Sequence, residues 1–193
     1  MHTNLKTIVK FKPCSEGIAK LMNNLGYKYD GYNWEDVYNS LSKEQQNKSI
    51  NFKFILESNG VKDTFWGLCT QPKKTRMLIG ADIVESVLYI YEKHYPNDNR
   101  MRDWIQGIRD YCDNKITKAE LNALKTDAYV ATGDTIYDAA TAATAATNAV
   151  NATVYDTANA AAAAAYDTAN AVAAYAARKE QWKKNEEILL KYI

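Results

Sequence analysis

The chain has 193 residues, 47% hydrophobic and 24% charged, with a formal net charge of +1. That length holds one domain plus an extension, or two small domains. The near-neutral balance and the short basic spots, Lys73-Lys74-Thr75-Arg76 and Arg100-Met101-Arg102, exclude the one-faced basic footprint of a nucleic-acid binder. No apolar run is long and oily enough for a membrane span.

Cys14, Cys69 and Cys112 are odd in number and widely spaced, without a Cys-x-x-Cys pair. They predict free thiols in a reducing compartment. His2 and His94 are the only histidines, too few for an expected zinc site. Neither a metal nor a cofactor is expected. Met1 to Lys6 lacks an apolar signal-peptide core, so the expected location is cytoplasmic.

In chain order, residues 4–11 form a short segment ending at Pro13. A helix follows, capped by Ser15, with Ile18, Leu21, Met22 and Leu25 as its stripe and Gly26 at its C-terminus. Residues 27–39 read as an aromatic, acidic loop containing Tyr29, Asp30, Tyr32, Trp34, Glu35 and Asp36. From Ser42 the pattern is helical, burying Phe52, Ile55 and Leu56 and ending at Ser58-Asn59-Gly60. A further helix spans residues 61–69 around Phe65, Trp66 and Leu68. Residues 76–95 predict one long amphipathic helix ended by Pro96-Asn97-Asp98. Residues 100–112 predict the next, with Met101, Trp104, Ile105, Ile108 and Tyr111 in phase. Thr117 and Glu120 match a capping box for a helix over 117–130. The fold class is all-α, a helical hairpin array or small bundle.

After Thr132-Gly133-Asp134 comes an alanine tract without Lys or Arg until Arg178. Tyr155-Asp156-Thr157-Ala158-Asn159-Ala160 recurs as Tyr166-Asp167-Thr168-Ala169-Asn170-Ala171, eleven residues later. Alanine favours helix, and an eleven-residue period keeps large residues in one seam. The tract is expected to be a long helix, or a hairpin broken near 148–153. Residues 178–193 form a closing amphipathic helix on Trp182, Ile188, Leu189 and Ile193. The expected organisation is a compact domain over 1–131, the tract over 132–177 and the closing helix over 178–193. Small alanines allow close helix approach and tyrosines cover them, so Tyr137, Tyr155, Ala162 and Tyr166 are expected at a homo-oligomer interface.

Candidate chemistry is sparse. Cys14 sits at a helix start, where thiols are activated, but no base is placed beside it. No catalytic residues are assigned, and an enzyme is not expected. Glu57, Asn59 and Asp63 form a polar corner, and Trp34 lies in a loop type that stacks ligands or docks proteins. Lys12, Arg100 and Arg102 are the cations available to a small anionic nucleotide. With Glu16 and Trp66, these nine residues are the candidate binding set.

Several blocks carry a family resemblance: Lys10-Phe11-Lys12-Pro13-Cys14-Ser15-Glu16-Gly17, Ile55 to Gly60 running on to Trp66, Ala81 to Leu88, Tyr95 to Arg100, the alanine tract, and Trp182 to Ile193. Together they resemble small phage and bacterial proteins of the "putative immunity protein" type. The resemblance implies an all-helical, non-enzymatic binder that neutralises a toxin or host defence component. It would act by occluding a protein or by sequestering a small signalling nucleotide. The alternative is a structural or assembly protein that oligomerises through its alanine-rich helix.

Overall fold

Capping and long-range pairing, rather than periodicity alone, decide where the helices of this chain start and stop. The computed structural model describes residues 1–28, 33–133 and 175–193. Tyr29, Asp30 and Tyr32 of the aromatic segment lie outside the described residues, as do the expected interface residues Tyr137, Tyr155, Ala162 and Tyr166. The described chain is all-α apart from one small antiparallel sheet, in which β1 (His2–Thr3) pairs with β2 (Ile50–Asn51).

Asn4 caps α1 (Leu5–Lys10), its side chain accepting from the Thr7 amide at 2.8 Å. For α2 (Ser15–Asn24) the N-cap is Cys14, which corrects the expectation of Ser15. An N-cap needs extended backbone, and Cys14 has it at φ −66° and ψ 146°. Its Sγ accepts from the Gly17 amide at 3.3 Å. Gly26, at φ +86°, ends the helix as expected.

Residues 34–40 are not loop, as expected, but helix α3 (Trp34–Ser40). Asn33 accepts from the Glu35 amide, and Glu35 and Asp36 complement the helix dipole in the first turn. The helix predicted from Ser42 is interrupted. α4 (Lys43–Asn47) opens with a full Ser42/Gln45 capping box, then gives way to β2 before α5 (Phe52–Asn59). The break exists because Ile50 and Asn51 pair with Thr3 and His2, and Asn51 then caps α5 through the Lys53 amide at 2.8 Å. Gly60, at φ +90° and ψ 174°, separates α5 from α6 (Val61–Gly67), which runs into a short 3-10 turn, Leu68–Thr70.

α7 (Lys73–Glu85) is the central helix. Met77, Ile79, Ala81, Ile83 and Val84 are all buried, so apolar residues surround it as they do a helix covered on every side. The single helix predicted over 76–95 is in fact two. Ser86 Oγ bonds back to the Ile83 carbonyl at 2.6 Å, and the chain turns through Ser86 and Val87 before α8 (Leu88–His94). α9 (Arg100–Cys112) has the predicted bounds and packs against both α7 and α10 (Lys118–Gly133). The Thr117/Glu120 capping box is present: the Glu120 carboxylate accepts from the Thr117 amide at 2.7 Å, and the Glu120 amide donates to Thr117 Oγ1 at 3.3 Å.

The closing helix α11 (Tyr175–Leu190) packs on α7. Ile188 and Leu189 enter the core, and Trp182 stands 6.3 Å from Phe65 of α6, ring centroid to centroid. Among the described residues, no helix is long and apolar enough to cross a membrane.

Candidate functional site

The polar corner predicted at Glu57 to Asp63 joins two parts of the fold. Asn59 ends α5, and Gly60 then aims Asp63 back from the first turn of α6. Asn59 Nδ2 donates to the Gly17 carbonyl at 2.8 Å and to Asp63 Oδ2 at 2.9 Å, while its Oδ1 accepts from Ser58 Oγ at 2.8 Å. A Cβ on Gly17 would stand 3.0 Å from Asp63 Oδ2 and 3.1 Å from Cys14 Sγ. A side chain at position 17 would thus press on Asp63 and Cys14, and glycine leaves room for this close approach of α2 to the α5–α6 corner. Lys12, Glu16 and Glu57, on or next to the elements that form this corner, are exposed. Trp34 is only 8% exposed and belongs to the core, and Trp66 packs against the core from its margin.

Arg100 and Arg102 sit at the α8–α9 corner. Arg100 embraces Asp98, with Nη2 to Oδ2 at 2.6 Å and Nε to Oδ1 at 2.9 Å, while Tyr91 donates its hydroxyl to Asp98 Oδ2 at 2.6 Å. The Arg100 hydrogen bonds hold the Asp98 carboxyl well below the usual carboxylate range. Burial, reinforced by the bond to Asp98, raises the Tyr91 phenol above its ordinary value. Arg102 pairs with Glu92. Both arginines thus already hold carboxylate partners within their own corner.

A third polar cluster escaped the sequence reading. Arg109 of α9 donates to Asp82 Oδ1 and Glu85 Oε2 of α7, each at 2.7 Å, and Tyr192 donates to Asp82 Oδ2 at 2.7 Å. Bonds to Glu85, more than those to Asp82, hold the Arg109 guanidinium charged. Burial and Asp82 together keep the Tyr192 phenol protonated. One turn away, Gln181 donates to Ser86 Oγ at 2.8 Å and to Asn185 Oδ1 at 2.9 Å. Gln181 is 3% exposed and Asn185 0%. A signal existed: Gln181, Asn185, Ile188 and Tyr192 fall on one face at helical spacing, so two amides share the buried stripe of α11. Ser86 both breaks the α7–α8 helix and receives Gln181, which ties the break to the docking of α11.

Two of the three thiols are chemically quiet. Burial pushes Cys69 up to about 12 and also raises Cys112, whereas Cys14 is exposed. Among the described residues, no group of three or more His, Cys, Asp or Glu side chains is disposed to hold a metal.

These clusters are joints between helices, and the second and third lie in the C-terminal two thirds of the chain. No curated protein and no solved structure matches the chain. A family model does, over residues 68–191, a span that begins at the 3-10 turn, contains the Asp98–Arg100 and Asp82–Arg109 clusters, and reaches the end of α11. That family is described as Imm-5 like putative immunity protein, and the chain belongs to it.

Proposed function

We propose that the chain is a non-enzymatic immunity factor, phage-encoded, that neutralises a toxin or host defence protein by binding and occluding it. The observation that carries this reading is that Arg109, Arg102 and Asp98 of the family-matched region are committed to holding helices together. Arg109 joins α7 to α9, Arg102 joins α8 to α9, and Asp98 fixes the start of α9. Helices whose corners are fixed by internal ion pairs present a preorganised surface, which suits shape-based occlusion of a protein. It also weighs against sequestration of a nucleotide by Arg100 and Arg102, since a ligand phosphate would have to displace a carboxylate from each.

The surface assigned to the partner is the α2–α5–α6 corner. Exposed Lys12, Glu16 and Glu57, on or next to the same elements, supply charge near the fixed Asn59–Asp63 pair in sequence, beside a preorganised backbone. The test is to isolate affinity-tagged full-length chain with its partner from its own host and measure the complex by size exclusion. The reading predicts a stoichiometric complex, weakened at least about tenfold by Glu16→Arg with Glu57→Arg. A complex indifferent to both changes would place the partner on another face.

A further inference from the structure

We propose that the cavity between α1, α4 and the two-stranded sheet binds a small phosphate-bearing metabolite of about sugar-phosphate size. The cavity measures about 270 Å³, below the roughly 300–1,000 Å³ of drug-sized pockets, so it suits a compact ligand. β1 supplies His2 and Thr3, the start of α1 supplies Asn4 and Thr7, and the α4–β2 connection supplies Asn47 and Ser49, with Thr70 closing the far side. All but Thr70 precede the family-matched residues. The site is therefore a feature of this chain's N-terminal part, lined by none of the residues assigned to the partner surface above.

The walls select by chemistry. Every lining side chain ends in a hydroxyl, an amide or an imidazole, and none is a carboxylate. Hydroxyls and amides both donate and accept, which matches the hydroxyls of a sugar. Several wall groups keep unused capacity. Asn4 accepts from Thr7 through Oδ1, leaving its Nδ2 hydrogens. Asn47 donates to the Lys43 carbonyl through Nδ2, leaving its Oδ1. His2 Nδ1 and Ser49 Oγ meet at 3.0 Å, which leaves the other ring nitrogen outside that bond. Thr3 is 8% exposed, and its hydroxyl, which has no hydrogen-bond partner, is itself shut off from solvent, so Thr3 backs the wall without facing a ligand.

The charge around the cavity selects an anion. Lys10 lies three positions beyond Thr7 and Lys43 four positions before Asn47, so each is one turn along the same helix face as a wall residue. Lys48 lies between Asn47 and Ser49. All three are exposed, and among the described residues none has an ion pair. The contrast with the paired Arg100, Arg102 and Arg109 is clear. α1 carries no acid, and α4 carries Glu44 alone. Lysine serves phosphate as a mobile point charge, while the neutral walls take the sugar.

Calorimetric titration of the full-length chain tests this, with glucose 6-phosphate as the probe and glucose as its neutral control. Glucose 6-phosphate should bind in about the micromolar range, glucose at least about tenfold more weakly, and inorganic phosphate should compete. Lys43→Gln with Lys48→Gln changes only exposed side chains. It should weaken the sugar phosphate about tenfold and erase the preference over glucose, at unchanged melting temperature. Ser49→Ala should weaken both ligands. Absence of binding to the folded chain, tighter binding of glucose than of its phosphate, or binding indifferent to all three substitutions would overturn the proposal.

Discussion

Tyr192 donates to one oxygen of Asp82 at 2.7 Å while Arg109 donates to the other at 2.7 Å. One carboxylate on the central helix thus fixes both α9 and the segment that follows α11. Because Arg109 also bridges Glu85, it separates two carboxylates that share a face of α7. Arg109→Met leaves both uncompensated and should cost about 2–3 kcal/mol in urea unfolding. Tyr192→Phe removes one hydrogen bond and should cost about 1 kcal/mol. Equal, negligible losses for the two variants would show that the cluster does not hold the helices.

Asp98 predicts an acid dependence. Arg100 holds its folded carboxyl below the ordinary aspartate value of about 4. Its contribution is therefore complete above that value and is lost as pH falls below it towards the folded one. Asp98→Asn should lower stability near neutral pH by about 1–2 kcal/mol. Wild type and variant should converge as the pH drops below the carboxylate range. A constant difference down to strong acid would contradict the assignment.

The three thiols should separate by reactivity. Cys14 is exposed at the start of α2, while Cys69 and Cys112 are buried and raised by that burial. A disulfide reagent at mild alkaline pH should modify one thiol quickly in the folded chain and all three in denaturant. Fast loss of all three in the native protein would mean that the core around Cys69 and Cys112 opens readily.

Gly60 has φ +90° and ψ 174°, a region populated almost only by glycine. No neighbour stands within 4 Å of a Cβ added there, so the cost of Gly60→Ala is backbone strain rather than a clash. A loss of about 1–3 kcal/mol is expected. The Asn59–Asp63 corner, whose geometry this turn sets, should loosen with it. Thermal denaturation that leaves the variant at wild-type stability would show that the turn has an alternative conformation of equal energy.

The parts of the fold legible in the sequence are those written in local chemistry. The bounds of α9, the Thr117/Glu120 box, and Gly26 and Gly60 all follow from residues that touch their near neighbours. The departures come from distant partners. Nothing near Ile50 announces that it pairs with Thr3, and the break at Ser86 is tied to Gln181, 95 residues away. Cys14 took the cap from Ser15 because a thiol also accepts an amide hydrogen and the backbone is extended one residue earlier. At the candidate site, Asn59 and Asp63 were visible as a polar corner, but their bond to Gly17 was not. Arg109 carries no local signal because its partners lie 24 and 27 residues away on another helix.

Occlusion makes neutralisation depend on a complex, and growth rescue reads that dependence directly. The partner isolated with the chain is expressed alone, with the wild-type chain, and with the Glu16→Arg, Glu57→Arg variant, while growth and complex yield are followed together. The predicted result is that the partner arrests growth alone, that the wild-type chain restores growth, and that the variant loses rescue in proportion to lost complex. Rescue that persists when no complex forms, or a stable complex that leaves the partner fully toxic, would contradict neutralisation by occlusion.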